Sequence, residues 1–143
     1  MVPSKRLQPV QRAAQSREND AARELGDSQR RMRDQEEKLG DLKRYHQEYL
    51  ERFEATARQG MSAKQMQEYR VFLEKLDRAV QEQEKVVLAS KNECVTRKEQ
   101  WQQKRVRTQA LGKVMDRFRS AEQKAVDKRE QDEIDDRNQR GPR

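Results

Sequence analysis

The chain has 143 residues, 41% of them charged and 31% hydrophobic, with five Gly, three Pro and a formal charge of +7. So little apolar material excludes a closed globular core of this length, and so little Gly and Pro excludes a β-protein with many turns. A disordered polyelectrolyte or long helices joined along a narrow apolar seam remain, and the spacing of the apolar residues decides for helices.

The chain starts Met1-Val2-Pro3-Ser4-Lys5-Arg6 and continues in polar residues, so no secretory signal is expected. From Leu25, steps of seven reach Met32, Leu39, His46 and Phe53, and the positions three further on are Ser28, Gln35, Leu42, Tyr49 and Thr56. This is a heptad seam with polar interruptions, which Leu7, Val10, Ala14 and Ala21 extend weakly towards the start. A first helix is expected from about Ser4 to about Arg58. It ends at Gln59-Gly60-Met61-Ser62, where Gly60 suits a left-handed C-terminal cap and Ser62 with Gln65 has the spacing of a capping box.

A second helix is expected from about Ala63 to about Asp136, followed by a disordered tail from Arg137 to Arg143. At 1.5 Å per residue such a helix is on the order of 100 Å long, which predicts a rod. Its seam runs through Leu73, Val80, Val87, Cys94, Trp101, Thr108 and Met115, with Leu76, Leu111 and Phe118 at companion positions. Near its start Tyr69, Phe72, Ala79 and Val86 add a second apolar stripe, wider than one partner helix covers. Beyond Ala121 the helix is highly charged, and Lys128 with Asp132 and Arg129 with Glu133 are placed to support it. No apolar run reaches the roughly 18 to 20 residues of a membrane span.

The short connection folds the helices back on each other, so the expected fold is all-α: one elongated two-helix antiparallel coiled-coil hairpin over the whole chain. Residues equally far from a turn between Gly60 and Met61 then face each other. That pairs Tyr49 with Phe72, Tyr45 with Leu76 and Leu42 with Ala79, and levels Leu7 and Val10 with Val114 and Leu111. The end of the second helix overhangs.

Catalytic, cofactor-binding and metal-binding residues are all expected to be none. His46, the sole histidine, sits in the seam beside Tyr45 and Tyr49, with no second ligand at metal spacing and no triad partner. The glycines are scattered and form no phosphate loop, and those inside the helices, Gly26, Gly40 and Gly112, read as tolerated or locally flexible positions. Cys94 is the only cysteine, which excludes an internal disulfide and fits a reducing compartment. Trp101 reads as a large seam anchor, with a binding role as the alternative. Between Arg97 and Arg119 eight Lys or Arg stand against Glu99 and Asp116. With no zipper directly following and no base-reading Asn in the run, this cationic stretch suits an acidic protein surface better than nucleic acid.

These residues together resemble the FliJ family of the bacterial flagellar type III export apparatus. The resemblance is carried by Asp20-Ala21-Ala22-Arg23 with Leu25-Gly26, by Tyr45, Glu48 and Tyr49 before the turn, and by Tyr69, Phe72, Leu76 and Ala79 after it. Trp101 with Lys104 and Arg105, and Asp127-Lys128-Arg129-Glu130-Gln131, complete it. It implies a non-enzymatic stalk-like protein, cytoplasmic and peripheral at the cytoplasmic face of the inner membrane, with no direct membrane insertion and no nucleic acid, and monomeric when free. The implied partners are the flagellar export ATPase hexamer, the cytoplasmic domain of the export-gate protein FlhA, and export chaperones. The gate-binding surface carries over to Leu42, Tyr45, Tyr49, Phe72, Leu76 and Ala79; at the next rung this chain has Lys38 and Gln83 where the family pattern shows Gln and His. By analogy with a rotary stalk, the ATPase-facing residues are Leu7, Val10, Arg23, Leu111, Met115 and Phe118.

Three other readings compete: the equivalent stalk of a virulence type III secretion system, a basic nucleic-acid-binding coiled coil, and a coiled coil that associates with itself because a two-helix hairpin leaves part of its seam wet.

Overall fold

Pro3 has no N–H to lose and a φ preset for helix, which suits it to the first helical position. In the computed structural model of the protein, which describes residues 2–141, it opens α1 at Pro3–Gln59, and a second helix, α2, covers Ala63–Gln139. The two pack as an antiparallel hairpin with no strand among the described residues. α1 ends where Gly60 takes φ 104°, a left-handed conformation that strains an L side chain but not glycine. α2 starts with a reciprocal capping box. The Gln65 amide donates to Ser62 Oγ at 3.1 Å, and the Ser62 amide donates to Gln65 Oε1 at 3.3 Å. Helix continues through Arg137, Asn138 and Gln139, which the sequence reading assigned to the tail; Pro142 and Arg143 lie outside the described residues.

The contacts divide the hairpin into two units, one of residues 23–99 and one combining the residues up to 22 with those from 100 on. In the first, both heptad seams turn inward. Leu76 and Val87 are buried, and Leu25, Met32, Leu39, Leu42, Tyr49 and Phe53 are half-buried. Polar seam residues are satisfied in place: Ser28, 1% exposed, donates to the Leu25 carbonyl, and Gln83 Nε2 donates to both the Gln35 carbonyl (3.0 Å) and Gln35 Oε1 (2.8 Å). Ion pairs flank the seam and tie helix to helix: Arg31 to Glu93 (2.7 Å), Arg97 to Glu24 (2.8 Å), Lys91 to Glu36 (3.7 Å) and Lys43 to Glu84 (3.9 Å). Half-exposed pairs like these contribute no more than about 1 kcal/mol each, so apolar burial stabilises this unit and the charges fix its register.

In the other unit the seam is Ser4, Leu7, Gln11, Ala14, Glu18 and Ala21 against Trp101, Thr108, Leu111, Met115, Phe118 and Glu122, with Met115 only 1% exposed. Val10 does not extend the seam as expected; it is 42% exposed. The true heptad positions beside it are the polar Ser4, Gln11 and Glu18, which hydropathy does not mark.

Candidate docking surfaces

Five aromatic rings meet where the sequence predicted three. Tyr49 lies 4.4 Å from Phe72 and 5.2 Å from Tyr69 between ring centroids, Tyr45 lies 6.2 Å from Phe72 in an edge-to-face contact, and Phe53 lies 5.5 Å from Tyr69. α1 supplies Tyr45, Tyr49 and Phe53 at successive one-turn steps, and α2 supplies Tyr69 and Phe72 opposite them. Burial, reinforced by the neighbouring Tyr69 and Tyr45, raises the Tyr49 phenol above its ordinary value. Phe53 and Tyr69 were within reach of the sequence argument, because the rung that pairs Tyr49 with Phe72 also sets Phe53 beside Tyr69.

The six residues carried over for the export gate divide by exposure. Tyr45 is 44% exposed, Leu42, Tyr49, Phe72 and Ala79 are half-buried, and Leu76 is buried against α1. Tyr45 and Leu42 share a shallow depression with Lys38, Asp41 and Gln83. On the outer side of α2, Phe72 and the exposed Val71 line a second depression with Lys64, Gln67, Glu68 and Lys75. Tyr45 and Phe72 thus offer surface to another molecule, and Leu76 holds the helices together. Val71 escaped the sequence reading because it lies off both apolar stripes.

The residues carried over for the ATPase are spread differently. Leu7, Leu111 and Phe118 are half-buried in the seam, Met115 is fully enclosed, Val10 is exposed, and the exposed Arg23 opens the other unit. The Arg105 guanidinium lies over the half-buried Trp101 ring at 5.3 Å, a cation–π contact. Among the described residues, no ion pair involves a residue up to 22 or from 100 on. The expected pairs Lys128–Asp132 and Arg129–Glu133 are therefore not formed. Gln123 donates to Asp127 (2.9 Å) and Gln131 to Asp135 (3.0 Å) instead.

One contact that sequence reasoning missed closes this unit. The Ser4 hydroxyl donates to Glu122 Oε2 at 2.7 Å, and the Ser4 amide donates to Oε1 at 3.0 Å. That amide is among the first-turn donors of α1, which have no intrahelical acceptor, so a carboxylate from α2 caps α1 in trans. The two bonds hold the Glu122 carboxyl below its ordinary value.

The family model described as "Flagellar FliJ protein" matches residues 3–143 of this chain. No curated protein and no solved structure matches it.

Proposed function

The chain belongs to the flagellar FliJ family, which is one of non-enzymatic flagellar export proteins, and on that premise we propose that it links two components of the export apparatus by binding each through a different unit of its hairpin. The unit of residues 23–99 docks on the cytoplasmic domain of the export-gate protein FlhA, with Tyr45 as its anchor. The unit of the residues up to 22 and from 100 on meets the export ATPase hexamer. In this role the chain works at the cytoplasmic face of the inner membrane and assists export chaperones in delivering their cargo.

The observation that carries the reading is the aromatic cluster. A tyrosine 44% exposed, backed by Tyr49 and Phe72 and opening on a shallow depression, is the kind of anchor that dominates binding energy at protein interfaces. Its rings are more than a two-helix seam needs for its own packing.

Tyr45→Ala is the cleanest test, because the side chain is the most exposed of the cluster. Titration calorimetry against the purified FlhA cytoplasmic domain should show affinity falling about ten-fold, with affinity for the ATPase unchanged. Equal loss towards both partners at preserved helicity would overturn the reading.

A further inference from the structure

Beyond Glu122, which marks the level of the α1 start, α2 continues through Gln139 with every side chain exposed, Val126 and Ile134 included. A helix this short with no neighbour is marginal in water, so the overhang gains order from whatever covers it. Residues 130–139 carry Glu130, Asp132, Glu133, Asp135 and Asp136 around Ile134 against the single base Arg137, while residues 123–129 hold Asp127 against Lys124, Lys128 and Arg129. Among the described residues none of the five acids around Ile134 is in an ion pair. The end of the overhang is thus acidic around one apolar residue.

The same unit carries a surface complementary to it. On α1 of this unit Val10 and Arg17 each precede a seam residue, Gln11 and Glu18, and on α2 Arg107 and Val114 precede Thr108 and Met115. Gln11 lies beside Gly112, and in that antiparallel register the heptad positions set Arg17 towards Arg107 and Val10 towards Val114. One flank of the unit thus sets a rung of two arginines next to a rung of two exposed valines. Three or four residues from these, on the same face, stand Arg6 and Ala13 on α1 and Ala110 and Arg117 on α2, all exposed. The result is a small apolar floor of Val and Ala, where a third helix can approach closely, rimmed by four arginines that are in no ion pair among the described residues.

An overhang cannot fold back onto the unit from which it continues as one uninterrupted helix. We propose that this face binds the acidic overhang of a second copy of the chain. A two-fold axis near Glu122 lays residues 123–139 of each copy along residues 106–122 of the other, with Ile134 level with Leu111, near Val114. Both halves of such an isologous contact come from one sequence, and each dimer contains the contact twice. The residues assigned to the ATPase, Arg23 excepted, lie in the same unit, so the self-paired form is a state of the free chain, in place of the monomer that the resemblance implies, and its test needs no partner.

The isolated full-length chain is followed by sedimentation velocity from about 1 to about 100 µM. A monomer–dimer equilibrium is expected that weakens about ten-fold between ~50 and ~500 mM salt, because the rim charges are exposed. Arg17→Glu with Arg107→Glu should abolish it, and so should Asp135→Lys with Asp136→Lys, whose side chains lie within one turn of the arginine rung in this register, each without loss of helicity since all four side chains are exposed. Mixing the two variants should restore the dimer, because each then meets its opposite charge. A wild-type chain that is monomeric throughout, or a dimer that both variants leave intact, overturns the proposal. So does a monomeric chain whose arginine face captures a synthetic acidic amphipathic helix or a duplex DNA, because the face then has another occupant.

Discussion

Glu122 shows how one residue can hold an end that the apolar seam leaves weak. Pro9 lies inside α1 and has no N–H to offer the Lys5 carbonyl, and the seam positions nearby are Ser4 and Gln11, so neither backbone nor burial secures the first turns. The carboxylate of Glu122 supplies two acceptors to Ser4 and places negative charge at the positive end of α1. Its pKa is lowered in the folded chain, so its stabilisation is present above the ordinary carboxyl range and is lost as pH falls through the lowered value. Glu122→Gln should therefore lower Tm at neutral pH, and the gap to wild type should close under acid. A gap of equal size at both pH values would mean that packing, and not the charge, is what the substitution removes. Nothing in hydropathy announces this pair, because both partners are polar and far apart in the chain.

At the level of the helices, the heptads and the capping residues made the hairpin legible. Gly60, Ser62 and Gln65 marked the turn, and the apolar residues at steps of seven marked the faces that pack. The reading failed where the seam is polar: Val10 attracted the assignment because its neighbours Gln11 and Glu18 do not look like core. The aromatic cluster was legible in part, since rung counting found Tyr49 and Phe72 but stopped short of Phe53 and Tyr69. Gly26 and Gly40 are the converse case, residues that look meaningful and that nothing nearby requires. A Cβ built at either meets no atom within 4 Å, and neither has positive φ. Gly26→Ala and Gly40→Ala should each stabilise the chain by about 1 kcal/mol through helix propensity alone. Thermal denaturation followed by circular dichroism would measure it, and a lowered Tm would reveal that flexibility at these positions has a structural use.

For the molecule as a whole, the distribution of charge separates two kinds of surface. Residues 23–99 spend their charges on one another, in four ion pairs between the helices. Among the described residues up to 22 and from 100 on, none is in an ion pair, and the arginines there are available to anions from outside. The aromatic anchor belongs to the first unit and the cations outside ion pairs to the second, so a partner of each unit meets different chemistry. Binding through the aromatic cluster should respond weakly to salt, and binding through the cations strongly. Since no residue is shared between the two sets, saturating one partner should change affinity for the other by less than about two-fold. Titrating the FlhA cytoplasmic domain into the chain alone and into the chain pre-bound to the ATPase measures this coupling. Mutual exclusion would mean that the two partners compete for one surface, and the two-unit division of labour would then be wrong even if each binary complex forms.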